Sequence, residues 1–284
     1  MNIIELFEYS GIYRENLRGF TPEDIEKVKK QFEIERSQNP NLEPDLANNL
    51  ILAMNEFPNE LLFISNNRIL YNFFSRKNYS RNRFSSDVIL SVNTESIKSF
   101  IDKFLSKDLD LFFERCLSEN RFDNIDDLLM TKEYLPESAM ANLSQKVGDK
   151  LNFIANKLSQ NPTTIDIQSI EFLKYRSFYV LVSHFRSEEK DKQMRSIYEK
   201  VYGMHSNSAL RVELMNPMIN SLVNYNAVDY QLNTFFKSNK DKLDAATSKA
   251  EEASGSSKSS GWTIFVVIVI ILRLIMMMVR MGRA

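Results

Sequence analysis

Apolar residues recur at helical spacing along most of the chain. The clearest stripe begins after Thr94, where the apolar positions are i, i+3, i+4, i+7 and i+8: Ile97, Phe100, Ile101, Phe104 and Leu105. Phe112 and Cys116 continue the same stripe. Because one face of a helix then carries the apolar side chains, the pattern predicts a long amphipathic helix with that face in a core.

Helix boundaries can also be read from the sequence. Thr21-Pro22-Glu23-Asp24 is a typical helix start, with an N-cap, a proline at the first helical position and acids in the first turn. Asn39-Pro40 ends that helix, and Pro44 and Pro58 open the next two, the second continuing to Phe73. Apolar periodicity predicts further helices over residues 125–132, 136–158, 167–185, 188–202 and 214–236. The run Val88-Ile89-Leu90 is the one candidate strand.

Composition strengthens the helical interpretation. Of the 284 residues, 43% are hydrophobic and 26% charged, close to ordinary globular usage, so most of the chain should form a core. The chain contains only 7 Gly and 7 Pro, and strand-and-turn folds need more of both for tight turns. We therefore predict an all-α fold: an irregular multi-helix soluble domain followed by one C-terminal transmembrane helix.

The last part of the chain carries the pattern of the transmembrane helix. Residues 262–279 read WTIFVVIVIILRLIMMMV and contain a single charge, Arg273. At 1.5 Å per residue this run is about 27 Å long, and about 30 Å if it extends to residue 281, close to the hydrocarbon thickness of a bilayer. Trp262 stands at one end, where an indole prefers the headgroup layer, and Arg280 stands at the other. A buried core helix would keep a polar stripe, which this run lacks.

Arg273 admits two interpretations. Arg280 follows seven residues later, two turns along a helix, so the Arg273 guanidinium can extend toward the same membrane interface. In the second interpretation, Arg273 faces an acidic or polar group on the transmembrane helix of a partner. The sequence leaves both open.

These features give a domain map and a topology. Residues 1–244 form the helical domain, residues 245–261 an Ala/Ser/Gly-rich flexible linker, residues 262–281 the anchor and residues 282–284 a short tail. The first half of the linker could extend the preceding helix. The start of the chain has no basic n-region or secretory signal, so we expect the domain in the cytosol, on a bacterial inner membrane rather than an organelle membrane. The basic tail favours the opposite orientation under the positive-inside rule.

One segment of the domain combines basic and aromatic residues without any acid. The basic–aromatic segment, residues 68–84, reads RILYNFFSRKNYSRNRF and carries Arg68, Arg76, Lys77, Arg81 and Arg83. Such a composition suits anionic lipid headgroups, an acidic protein partner or single-stranded nucleic acid. The formal net charge of −1 for the whole chain makes nucleic acid the weakest of the three. The alternative is a solvated loop after a helix whose Phe73 and Phe74 enter the core.

No catalytic, metal or nucleotide motif occurs in the sequence. GxGxxG, GxxxxGK[ST] and HExxH are all absent. His184 and His205 are the only histidines, and neither stands at metal-ligand spacing from Cys116, the only cysteine. His184 and Cys116 both lie on apolar helix faces, as packed core residues do. We therefore predict no cofactor, no metal and no enzymatic activity.

Three hypotheses about function follow. The first, which we favour, is a membrane-tethered helical scaffold or adaptor that recruits protein partners at a membrane face. The second is a membrane-anchored enzyme whose site, for example Cys116 beside a histidine, is assembled only by the fold. The third is a binder of anionic lipid or nucleic acid through residues 68–84. A pocket with converging polar groups would favour the enzyme.

Overall fold

The computed structural model describes residues 1–12, 20–75, 92–160, 165–204 and 209–254, and its regular elements are helices. In chain order the α-helices are α1 (Ile3–Tyr9), α2 (Pro22–Gln38), α3 (Leu46–Glu56), α4 (Pro58–Asn66), α5 (Arg68–Phe74), α6 (Thr94–Ser118), α7 (Phe122–Leu129), α8 (Glu137–Lys157), α9 (Arg176–His184), α10 (Glu188–Gly203), α11 (Ala209–Leu222) and α12 (Tyr230–Ser254). The described ranges contain no strand, which confirms the all-α prediction for them. The candidate strand at residues 88–90 lies outside those ranges.

Side-chain caps explain where two of the predicted helices begin. At the start of α2, the Thr21 Oγ1 accepts from the Asp24 N–H at 3.3 Å, and the Asp24 carboxylate accepts from the Thr21 N–H at 2.9 Å. The predicted cap is therefore confirmed. At α6 the cap is Asn93, whose Oδ1 accepts from the Glu95 N–H at 2.9 Å, and Thr94 is the first helical residue. The pattern predicts Thr94 itself as the cap, so the helix begins one residue earlier than predicted, because asparagine caps at least as well as threonine.

One predicted helix is divided at Asn67. The apolar spacing from Pro58 to Phe73 is continuous, yet Asn67 adopts an extended conformation between α4 and α5. Its Oδ1 accepts from the Ile69 and Leu70 N–H groups at 3.1 and 3.0 Å. Asparagine competes with the helical carbonyls for backbone N–H groups, so a cap wins over continued helix here.

A second predicted helix, over residues 167–185, is divided at Tyr175. The chain forms a 3₁₀ helix, Ile167–Lys174, and then α9. The Ser221 Oγ donates to the Lys174 carbonyl at 2.6 Å, and the Tyr179 Oη donates to the Leu173 carbonyl at 2.7 Å. Carbonyls near the break are thus satisfied by side chains, which lowers the cost of ending the helix.

The third break falls at residues 223–229, inside the predicted helix over residues 214–236. Side chains from other helices hold this segment: the Asn226 N–H donates to the Ser183 Oγ at 2.8 Å, and the Asp229 N–H donates to the Asp191 Oδ2 at 2.8 Å. Both acceptors lie at least 38 residues away in the chain. The apolar pattern of one segment carries no information about such partners.

The chain divides into two compact units, and the boundary between them, at Lys146 and Val147, falls within α8. In the first unit, α1 contacts α2, α3 and α5, and α4 contacts α3, α5 and α6. Large aromatic side chains with almost no exposure fill its core: Phe7, Tyr71, Phe74, Phe100, Phe113 and Phe122. Each such side chain contributes on the order of 1.5–3 kcal/mol when it is buried, so this unit has a substantial core of its own.

The second unit is organised around α11, which contacts the 3₁₀ helix, α9, α10 and α12. Leu214 and Met218 lie one turn apart on α11 and have no exposed surface. Pro217 lies inside α11 without ending it, although it lacks the N–H that would complete a helical hydrogen bond. The rings of Phe172 and Phe178 pack edge to face against each other, with centroids 5.1 Å apart.

The last described helix enters the predicted linker. α12 continues to Ser254 and so includes residues 245–254. None of the helices in the described ranges combines the length and the apolar character needed to cross a bilayer. The predicted anchor, residues 262–281, and the tail lie outside the described residues.

Candidate functional site

Of the predicted contact residues in the basic–aromatic segment, the structure describes only Arg68. It is exposed at the first position of α5, directly after the Asn67 cap. Tyr71 and Phe74 are buried and Phe73 is half-buried, so part of the aromatic content belongs to the core. The remaining predicted residues lie outside the described ranges: Arg76, Lys77, Arg81 and Arg83, and the anchor residues Trp262, Arg273 and Arg280.

An open groove lies in the first unit between the end of α5 and the C-terminal half of α6. Side chains of α6 at i, i+3, i+4, i+7 and i+10 line it over a length of about 15 Å: Asp108, Leu111, Phe112, Arg115 and Ser118. Glu114 joins them from α6, Phe73 and Phe74 from α5, and Asn2 from the start of α1. We name this the α5–α6 groove. Its volume of about 550 Å³ falls in the range of protein ligand sites.

The floor of the groove is aromatic and aliphatic. The ring of Phe73 packs edge to face against Phe74 and Phe112, with centroids 4.7 and 4.6 Å away. Leu111 keeps 57% of its surface exposed. Covering apolar surface of this kind is favourable by roughly 25 cal/mol per Å², so the floor favours contact with an apolar side chain.

Asn2 holds the helices that form the groove. Its Oδ1 accepts from the Ile4 and Glu5 N–H groups, both at 3.0 Å, and so caps α1. Its Nδ2 donates to the Phe74 carbonyl at 2.9 Å and to the Asp108 Oδ1 at 3.3 Å. Only 5% of Asn2 is exposed. A single buried amide therefore joins the start of α1, the end of α5 and the wall of α6.

Charged side chains of both signs frame the apolar floor. Asp108 and Arg115 are seven residues apart on α6, about 10.5 Å along its axis, with Leu111 and Phe112 between them. Glu114 adds a second carboxylate beside Leu111. Within the described residues, neither Glu114 nor Arg115 forms a salt bridge. Along α6 the groove therefore offers an acid, then an apolar centre, then a guanidinium with the second carboxylate beside it.

Cys116 and the two histidines are the residues that the enzyme hypothesis would use. Cys116 is buried, and desolvation raises the pKa of its thiol, so the reactive thiolate is disfavoured. His184 is half-buried in the second unit, and His205 lies outside the described residues. In the part of the chain that the structure describes, His, Cys, Asp and Glu side chains form no group of three that could hold a metal ion.

Lys150 is the lysine with the most altered pKa among the described residues. Burial lowers its pKa to about 8. Its Nζ lies 4.3 Å from the ring centroid of Phe172, and that ring favours the charged ammonium. Lys150 therefore makes the stability of the second unit depend on pH in the alkaline range.

Comparison of the chain with protein-family models, with curated proteins and with solved structures gave no match. The function is therefore inferred from the chain's own residues. The sequence pattern had placed Phe112 on the core stripe of α6, whereas Leu109 and Phe113 carry that stripe in the structure. The available signal for the groove was Leu111, a large apolar residue beside the stripe.

Proposed function

We propose that the chain is a membrane-tethered helical adaptor whose helical domain holds a protein partner at a membrane face. The observation that carries this proposal is the run of residues 262–279, eighteen residues with one charge and a tryptophan at its beginning. α12 supports it, because the helix reaches Ser254 and Trp262 follows eight residues later in the sequence. The predicted tether thus begins close to the folded module.

The α5–α6 groove supports recruitment of a protein. It combines an exposed leucine, an aromatic floor and charges at its rim, and protein-binding surfaces place apolar anchors inside a polar rim in the same way. Exposed apolar side chains that share a groove with charged neighbours are typical of interaction sites. The groove is accordingly our candidate for the surface that the partner contacts.

Alkaline carbonate extraction of membranes tests the tether. The unmodified chain should stay with the membrane, whereas Ile268→Asp combined with Ile271→Asp should be extracted, because each central carboxylate costs about 2.5–3.5 kcal/mol. Ser254→Asp combined with Ser257→Asp is the matched control and should remain membrane-bound. Extraction of the unmodified chain to the same extent as the Ile268/Ile271 variant would refute the proposal.

Protease protection tests the side of the membrane. We propose the cytosolic face of a bacterial inner membrane, in line with the sequence-based expectation. Protease added to intact right-side-out spheroplasts should then leave residues 1–254 uncut until the membrane is permeabilised. Cleavage before permeabilisation would place the module on the opposite face.

A further inference from the structure

We propose that the α5–α6 groove binds one amphipathic helix of a partner protein, with a basic residue and an acidic residue seven positions apart on either side of an apolar anchor. This inference rests on the proposed adaptor function and names the class of partner that the groove takes. It is carried by the order of side chains along α6: Asp108, then Leu111 and Phe112, then Arg115.

Charge complementarity sets the spacing in the occupant. Asp108 and Arg115 lie about 10.5 Å apart along α6, which corresponds to seven residues of another helix lying alongside it. A Lys or Arg of the occupant facing Asp108 and an Asp or Glu facing Arg115 would each meet an opposite charge. Glu114 is the neighbour of Arg115 and lies about 9 Å along α6 from Asp108, so it reduces the preference for an acidic residue at the Arg115 end. The order of the two charges in the occupant sets its direction: a helix with the basic residue first lies parallel to α6, and one with the acidic residue first lies antiparallel.

The apolar floor sets what stands between those charges. The half-buried rings of Phe73 and Phe112 and the exposed side chain of Leu111 leave room for one or two large side chains. On a helix, residues three and four positions from the basic residue, toward the acidic one, lie on the same face. The occupant therefore carries Leu, Met, Ile or Phe at one or both of these positions.

A helix fits this groove better than an extended peptide. The walls of the groove are α5 and α6, whose interior backbone groups are bonded within the helices, and the described residues present no sheet edge. An extended peptide would leave its own backbone N–H and C=O groups without partners against the apolar floor. A helix bonds its backbone internally and presents only side chains.

Selection of helices from a library tests the inference with the full-length chain in detergent micelles. The probe is a display library in which one face of a stable helical hairpin is randomised, alongside a second library of extended peptides. The selected hairpins should share a basic and an acidic residue seven positions apart, in either order, with an apolar residue between them, three or four positions from the basic one. Enrichment of extended peptides with charges about three residues apart would overturn the helical occupant.

Variants of the chain show whether the selected hairpins use the groove. Leu111→Glu should weaken their binding at least about tenfold, since it replaces a large apolar contact in the groove with a charge that must lose its water. Met130→Glu is the matched control, because Met130 is 75% exposed elsewhere in the first unit, and binding should change less than about twofold. In a repeat selection, Arg115→Glu should replace the acidic residue of the hairpins with a basic one.

Three results would overturn the inference: no hairpin enriched, hairpins that bind Leu111→Glu as well as the unmodified chain, or a selected sequence that ignores the Arg115 substitution. Self-association of the chain through the groove would appear as a Leu111-dependent dimer in the absence of any hairpin, and would also overturn it. Carbonate extraction is unaffected by all of these outcomes. Failure of the groove assignment is thus separable from failure of the membrane tether.

Discussion

The hydrogen bonds of Asp191 give the sharpest test of how the second unit is built. Asp191 lies in the first turn of α10 and is only 5% exposed. Its Oδ1 accepts from the Tyr225 Oη at 2.5 Å, and its Oδ2 accepts from the Asp229 N–H at 2.8 Å. Burial, with this carboxylate as the second cause, raises the pKa of Tyr225 above its ordinary range. We infer that this carboxylate fixes Tyr225 and Asp229 against α10.

The expected magnitudes follow from these contacts. Tyr225→Phe removes one hydrogen bond to a charged acceptor while keeping the ring, and should cost about 1.5–3 kcal/mol. Asp191→Ala removes both acceptors, leaving the buried Tyr225 hydroxyl and the part-buried Asp229 N–H without this partner, and should cost about 3–5 kcal/mol. In the double variant the shared bond is already lost, so the two effects should fall short of additivity by about 1.5–3 kcal/mol.

Hydrogen exchange measured by mass spectrometry suits this test better than a global melt, because a chain of two compact units need not unfold in one step. The opening free energies of peptides from α10 and from residues 223–229 should fall in both variants. Tyr230→Phe is the matched control: the same hydroxyl is removed from a tyrosine that is 81% exposed, and exchange should change by less than about 0.5 kcal/mol.

Additive effects in the double variant would refute the coupling between Asp191 and Tyr225. A Tyr225→Phe variant whose exchange matches that of Tyr230→Phe would show that the hydroxyl contributes nothing to the unit. Either result would mean that other contacts, such as the bond from the Asn226 N–H to the Ser183 Oγ, hold residues 223–229. The position of the third helix break would then need another physical cause.

Three further predictions concern single side chains. Lys150→Met should raise stability at pH 7 by about 1 kcal/mol. It should also remove the rise in stability between pH 8 and 10.5, where the unfolded lysine keeps a proton that the folded one has lost, as followed by urea denaturation across that range. Asn67→Ala should cost about 1 kcal/mol through loss of the α5 cap, seen as faster hydrogen exchange in α5. Leu111→Glu should change the free energy of unfolding, measured by urea denaturation, by less than about 0.5 kcal/mol, since Leu111 is largely exposed. The first prediction is wrong if Lys150→Met leaves the dependence of stability on pH unchanged. The second is wrong if Asn67→Ala leaves hydrogen exchange in α5 unchanged, and the third if Leu111→Glu destabilises the chain.

The sequence predicted the parts of the fold that local physics determines. The all-α class and the start of α2 at Pro22 follow from residue composition and a local cap. The break at Asn67 was also local, but the continuous apolar spacing on both sides concealed it. The break at residues 223–229 could not be predicted, because its partners Ser183 and Asp191 come from distant helices.

The groove lay beyond sequence reasoning for a related reason. Asn2 ties together the elements that form the groove, because it bonds to the Phe74 carbonyl, 72 residues away, and to Asp108, 106 residues away. Periodicity finds the buried face of a helix such as α6, since burial repeats along the helix. It does not show which exposed face of that helix meets another element, and so Leu111 and Arg115 went unassigned.

The fluorescence of Trp262 tests the central claim, a helical module held on a membrane, most directly. Trp262 is the only tryptophan of the chain, so its emission reports one position. The full-length chain is reconstituted into vesicles whose lipids carry bromine at defined depths in the acyl chain. An anchor that begins at Trp262 places the indole at the headgroup layer, so emission should be blue-shifted and quenched most by bromine nearest the headgroups. Emission like that of an indole in water, with no quenching at any depth, would contradict the tether.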